Sequence, residues 1–218
     1  GMKVGYNLYE SYWGAGAMFT FGADFDITFT EDGNIASVAA DFNSEKGLKA
    51  AKAILEIINH PAFVNTAEVP NEYNKIAATI GGTWNVYPIR EFYGENYACA
   101  VMPTVTVDGE TRNLGAFLGG KLLGVNPQRA QGNADQLEAA HKLAKFLAGK
   151  ECQLKRFENA GIAPCHIEAI QDPKVQASPN IKVLSEQCSF AHAQTIVPDG
   201  LWSAPIVMVS AMREGECT

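Results

Sequence analysis

No apolar run in this chain approaches the ~18 residues a helix needs to cross a bilayer, so a transmembrane helix is not expected. Basic charge is scarce: 17 Lys and Arg stand against 24 Asp and Glu, a formal net charge of −7. A nucleic-acid partner requires a basic face, so that class is set aside. The acidic residues are scattered and read as a solvated surface. Cysteine is sparse as well. Cys99, Cys152, Cys165, Cys188 and Cys217 contain no Cys-x₂₋₄-Cys pair, which argues against a structural zinc site. Five is an odd number, and 218 residues can bury a core without staples. The thiols therefore read as buried or incidental.

Catalytic signatures are missing too. The sequence has no Gly-x-Ser-x-Gly elbow, phosphate loop or His-Glu-x-x-His motif. Gly119-Gly120-Lys121 is too short to cradle phosphate. His60 and His141 fall after and within predicted helices and read as surface or packing residues. Nothing places two carboxylates about 5–10 Å apart on one face, as a glycosidase needs. No metal and no cofactor is suggested.

What is present is an ordinary globular composition, 47% hydrophobic and 19% charged. The length suits one large domain or two small ones. Lys3–Asn7 reads as a strand. A hairpin follows, with Phe19–Thr30 returning through Ile35–Val38 across the Glu31-Asp32-Gly33-Asn34 turn. Asn43 or Ser44 caps a helix running to Asn59, with Leu48, Ala51, Ile54, Leu55 and Ile58 as its apolar stripe. Residues 71–78 read as a short helix, followed by a strand end at Thr79-Ile80 and a glycine turn into Trp84. Tyr97–Met102 and Lys121–Val125 read as buried strands. Further helices are predicted over Ala134–Ala148, over Glu151–Ala160 with Gly161 as the residue past its end, over Pro179–Phe190 and over Trp202–Met212. Pro205 is tolerable if that last helix begins near Ser203. Alternating strands and helices indicate the α/β class.

Two aromatic clusters stand beside polar groups just after predicted strands, Glu10-Ser11-Tyr12-Trp13 and Trp84. Ligand sites in open α/β sheets lie beyond the carboxyl ends of strands. A pyranose has apolar C–H faces and a hydroxyl rim, so flat aromatic rings and carboxylates together suit it. Glu10, Tyr12 and Trp84 meet that need. The plainer alternative is that the aromatics are core residues and Glu10 a surface one.

Asn7-Leu8-Tyr9-Glu10-Ser11-Tyr12 resembles the Asn-Leu-x-Glu-x-Tyr stretch of the maltose/maltodextrin-binding proteins. Thr79-Ile80-Gly81-Gly82-Thr83-Trp84 resembles their Thr-Ile-x-Gly-x-Trp segment. Val101-Met102-Pro103, the run Phe117–Leu147, and Ile196-Val197-Pro198 followed by Trp202 resemble later segments in the same order. The resemblance implies a type II periplasmic-binding-protein-like α/β fold, represented mainly by its C-terminal lobe. It further implies an ABC-importer receptor that binds an oligosaccharide in an interlobe cleft and hands it to a membrane permease outside the cytoplasm. Glu10 becomes a hydroxyl-binding carboxylate, Tyr12 and Trp84 stacking platforms, and Trp202 another aromatic reaching the sugar. Tyr9 and Trp13 read as packing residues.

The same resemblance implies that a first lobe precedes this chain, and Gly1-Met2 reads as the remnant of a cleaved tag. A second-lobe core is expected over 1–108 and 165–218, with 109–164 a crossover packing on the first lobe. The stripe Leu137, Leu143, Leu147 is then expected to repack, dimerise or swap with a second copy. Two other functions stand beside this one. One is a receptor for another sugar or a polyol; the other is a glycoside-processing domain using Glu10, which needs a second acid opposite it.

Overall fold

The structure, a computed structural model, describes residues 5–8, 16–64, 73–194 and 200–216. The chain divides into two compact units. One draws on residues 1–82, 100–119 and 186–218, the other on 83–99 and 120–185.

In the first unit, β1 (Gly5–Leu8) lies parallel to β4 (Ile76–Ile80), with Gly5 opposite Ile76 and Leu8 opposite Ile80. The helix read over 71–78 is thus corrected: residues 76–80 form a strand. Ile76-Ala77-Ala78-Thr79-Ile80 has no strong local preference, and pairing with β1 decides its state. The predicted hairpin is present as β2 (Phe25–Phe29) against β3 (Ile35–Ala40), closed at Gly33 with φ 79°. Residues 16–20, partly read into the first of those strands, instead form a helical turn, α1. Gly16 of α1 approaches Gly115 backbone to backbone, and a Cβ on Gly115 would sit 3.0 Å from the Gly16 carbonyl oxygen. The Gly115 N–H donates to Thr20 Oγ1 at 2.7 Å, and that hydroxyl donates to the Gly16 carbonyl at 2.9 Å.

Helix α2 (Glu45–Ile58) begins where expected, with Ser44 Oγ accepting the Gly47 N–H at 3.4 Å. Its buried residues are Gly47, Ala50, Ala53 and Ile54, while Leu48 is 58% exposed. Of the stripe read in the sequence, Ile54 joins the core and Ala51, Leu55 and Ile58 pack against it, so Leu48 alone turns out to water. A second hairpin, β5 (Thr104–Val107) with β6 (Glu110–Asn113), turns through Asp108 and Gly109, both at positive φ (51° and 79°). That is the backbone a two-residue hairpin loop demands. Val105 and Val107 point inward while Thr104 and Thr106 point out. They join Ala17, Ala53, Ile54, Leu114, and Val209 and Met212 of α9 (Gly200–Glu214) in one core cluster. Helix α9 begins at Gly200, so Pro205 falls in its second turn and not in the first. The short parallel pair β7 (Ala116–Leu118) and β8 (Ala191–Ala193) completes the unit.

Tyr97–Met102 is not a strand among the described residues. Among the described residues no strand pairs with it, and side chains satisfy part of its backbone instead. The Met102 N–H donates to Gln187 Oε1 at 2.8 Å, and Gln187 Nε2 donates to the Leu114 carbonyl at 3.0 Å. Gln187 is the one buried polar side chain of the described residues. Replacing Gln187 by alanine strands both backbone groups, and a loss of about 2–4 kcal/mol in urea unfolding is expected. Gln187→Met, which keeps the volume, should lose nearly as much. If Gln187→Met proves neutral, the bonds are not what holds the segment.

The second unit holds helices and turns, with no strand among its described residues. After α3 (Val86–Tyr93) come α4 (Ala134–Ala148), α5 (Lys150–Ala160), α6 (Ile167–Ile170), α7 (Pro173–Ala177) and most of α8 (Pro179–Gln187). The capping is legible. Asn133 Oδ1 accepts the Gln136 N–H at 3.1 Å to start α4. Gly161, at φ 65°, ends α5 as predicted. Lys121–Val125 is not a strand either: Leu122 is 94% exposed, and no described strand of this unit offers it a ladder. Helix α4 buries none of its residues; Leu143 and Phe146 are exposed, and Leu137 and Leu147 half-buried.

Candidate functional site

Strands β1 and β4 end together, because Leu8 and Ile80 are register partners. The chain leaves Ile80 through Gly81-Gly82 into a 3₁₀ turn, Thr83–Asn85, which runs directly into α3. Trp84 sits in that turn and is 51% exposed, so its indole is neither a core residue nor wholly free in water. Tyr87, three residues on in the first turn of α3, is 60% exposed. Pro88 follows within the same turn, where its missing N–H costs no helical bond. An aromatic surface thus rises from a rigid helical start, and Tyr87 was not among the residues singled out from sequence. The available signal was its i,i+3 spacing from Trp84.

Of the four residues expected to hold a sugar, only Trp84 has a described side chain. Glu10 and Tyr12 lie outside the described residues. Trp202 falls within α9, but its side chain lies outside them.

Two other polar clusters are internally satisfied. On the β2–β3 hairpin, an open depression is lined by Asp24, Phe25, Asp26, Ala39, Ala40 and Asp41. Asp41 Oδ1 accepts the Asp24 N–H at 2.5 Å, and Oδ2 takes the Lys46 ammonium at 2.9 Å. Asp24 Oδ1 accepts the Phe25 N–H at 2.7 Å and lies 3.6 Å from His192 Nε2. His192 itself stacks on Phe19, ring centroids 4.3 Å apart. The Asp24 amide first, and Lys46 second, hold the Asp41 carboxyl below its ordinary pKa of 3.8. A depressed carboxyl contributes stability above its unfolded pKa and loses it as pH falls through the folded one. A carboxyl ¹³C titration is expected to place the Asp41 midpoint below 3.8, with Lys46→Ala raising it only part of the way. A midpoint at or above 3.8 would contradict that arrangement.

In the second unit, Asn180 Oδ1 accepts from the Tyr97 hydroxyl at 2.9 Å and from the Cys99 thiol at 3.0 Å. Burial, then the neighbouring Cys99, pushes the Tyr97 phenol up to about 12. It therefore stays a neutral donor and fastens the N-terminal end of α8. No group of three or more His, Cys, Asp or Glu among the described residues is arranged to hold a metal ion. No helix of the described residues is long and apolar enough to cross a membrane.

Comparison with known proteins bears on the family and the fold. Residues 3–183 match the family described as bacterial extracellular solute-binding protein. The chain is 23% identical over 209 residues to the galactooligosaccharide-binding protein of Bacillus subtilis, covering 91% of this chain and 48% of that one. It superposes on the unliganded maltodextrin-binding protein MalE1 of L. casei with a TM-score of 0.75 at 21% identity, over 97% of this chain and 57% of the other. A structure determined with acarbose gives a TM-score of 0.80 at 26% identity, again over 57% of its length and 99% of this chain. The chain thus spans about half the length of the relatives it matches, and its fold is that of the periplasmic-binding-protein-like maltose-binding proteins. By that match over most of its residues, the chain belongs to the bacterial extracellular solute-binding protein family.

Proposed function

We propose that this chain is part of the sugar receptor of a bacterial ABC importer, which binds an oligosaccharide and delivers it to a membrane permease without chemical change. One observation carries the reading. The strands preceding both sequence clusters end side by side at Leu8 and Ile80, and beyond Ile80 an exposed Trp84 is held at a rigid helix start. An indole face with one side in water suits the apolar face of a pyranose. Glu10 as hydroxyl acceptor, with Tyr12 and Trp202 as further aromatic contacts, completes the proposed site. The match to a solute-binding family favours a receptor over the glycoside-processing alternative, which needs a second acid opposite Glu10.

The division into a second-lobe core at 1–108 and 165–218 and a crossover at 109–164 belongs to the same proposal. The exposed Leu143 and Phe146 of α4 then find cover in the remainder of the receptor, or in a second copy when this chain is alone.

Maltodextrins are the favoured ligands. The Bacillus subtilis relative gives galacto-oligosaccharides a specific claim as the second reading. The test is a titration of tryptophan fluorescence in the full-length protein with maltose, maltotriose and a galacto-oligosaccharide. A saturable response to one series supports the receptor and selects the sugar. Silence towards every sugar would leave the fold standing and remove carbohydrate as the ligand.

A further inference from the structure

We infer that Tyr87 is a second stacking platform, one step along from Trp84, and that it makes the receptor prefer ligands of two or more sugar units over a single unit. The inference rests on the sugar-receptor reading and adds a length-discriminating residue to it. Tyr87 is 60% exposed, and among the described residues its ring has no aromatic neighbour and its hydroxyl no hydrogen-bond partner. Packing therefore does not account for a large apolar ring at this position. The 3₁₀ turn of Thr83–Asn85 is continuous with α3, so residues 84 and 87 rise from one side of a single helical run. Side chains three apart on such a run have Cβ atoms about 5–6 Å from one another. That is the order of the step between successive rings of an oligosaccharide, so one indole and one phenol can each take a neighbouring ring.

The element is also stiff. Pro88 fixes the backbone directly after Tyr87, and a tyrosine has only two side-chain torsions to immobilise. A platform of that kind loses little entropy when a sugar settles on it. Arg90 and Glu91, both exposed and one turn further along, offer a donor and an acceptor for hydroxyls at the far end.

The experiment compares the full-length protein with its Tyr87→Ala and Tyr87→Phe forms by tryptophan fluorescence and calorimetry, using glucose and galactose beside malto- and galacto-oligosaccharides of two and three units. For the series that the unaltered protein binds, Tyr87→Ala should weaken the two- and three-unit sugars by about 5–30-fold. The single-unit sugar should change by less than about 2-fold, and Tyr87→Phe, which keeps the ring, should stay within about 2-fold throughout. A loss equal at every length, or no loss at any, would overturn the role of Tyr87 while leaving the receptor intact. An unaltered protein that binds neither series would overturn the receptor reading and this one with it. Circular dichroism of the alanine form should match the unaltered protein, since the ring supports no core; if it does not, Tyr87→Leu, which keeps an apolar side chain but lacks the flat ring, carries the same length comparison.

Discussion

Trp84→Ala in the full-length protein is expected to weaken oligosaccharide binding by about 30–150-fold while leaving thermal stability nearly unchanged. The binding figure follows from area: an indole face covered by a sugar ring removes roughly 100 Å² of apolar surface from water, or about 2–3 kcal/mol. The stability figure follows from exposure, since about half of the side chain already meets solvent and surface substitutions usually stay within about 0.5 kcal/mol. The separation of the two effects is what makes the test informative. A core tryptophan would do the reverse, unfolding the protein and weakening binding only in proportion. Calorimetry alongside thermal melts reads both, and an affinity loss below about 3-fold at any sugar length would remove Trp84 from the proposed site.

The largest expected effect on folding lies in α2. Ile54 is fully buried against Val105, Val107, Val209 and their neighbours, whereas Leu48 is 58% exposed on the same helix. Ile54→Ala is expected to cost about 2–5 kcal/mol, from lost transfer energy and the cavity left behind. Leu48→Ala should cost less than about 1 kcal/mol. Domains are stable by only about 5–15 kcal/mol, so the first substitution threatens folding at body temperature and the second does not. Both residues sit on the apolar stripe drawn from spacing alone, so urea midpoints for the pair test the burial pattern itself. Equal losses would mean that α2 faces the core along the stripe read from sequence, with Leu48 inside.

Elements whose state is decided within a few residues were legible. Ser44 as a cap, Gly161 past the end of α5, and the Glu31-Asp32-Gly33-Asn34 turn all act through local hydrogen bonds or local dihedrals. Asp108-Gly109 is a signal of the same local kind, an Asp-Gly pair at the hairpin between β5 and β6. The order of Leu8, Ile80 and Trp84 along the chain was visible as well, and with it the expectation of an aromatic just past a strand.

The remaining features depended on partners distant in the chain. Ile76–Ile80 became a strand because β1, some seventy residues earlier, offers its hydrogen-bonding edge. Tyr97–Met102 and Lys121–Val125 carry strand-like composition, yet among the described residues no edge receives either, and a backbone without a ladder is not a strand. Gln187, read only as part of a helix, proved to be the clamp on Met102 and Leu114 because folding brought three distant segments to one buried point. The sequence by itself thus determined the α/β class, most helix limits and the candidate aromatic Trp84. Local capping, turn geometry and apolar spacing are properties of short stretches. Which strands pair, how far the α2 stripe is covered and which aromatics stay in water were decided by tertiary structure, because each depends on what another part of the chain presents.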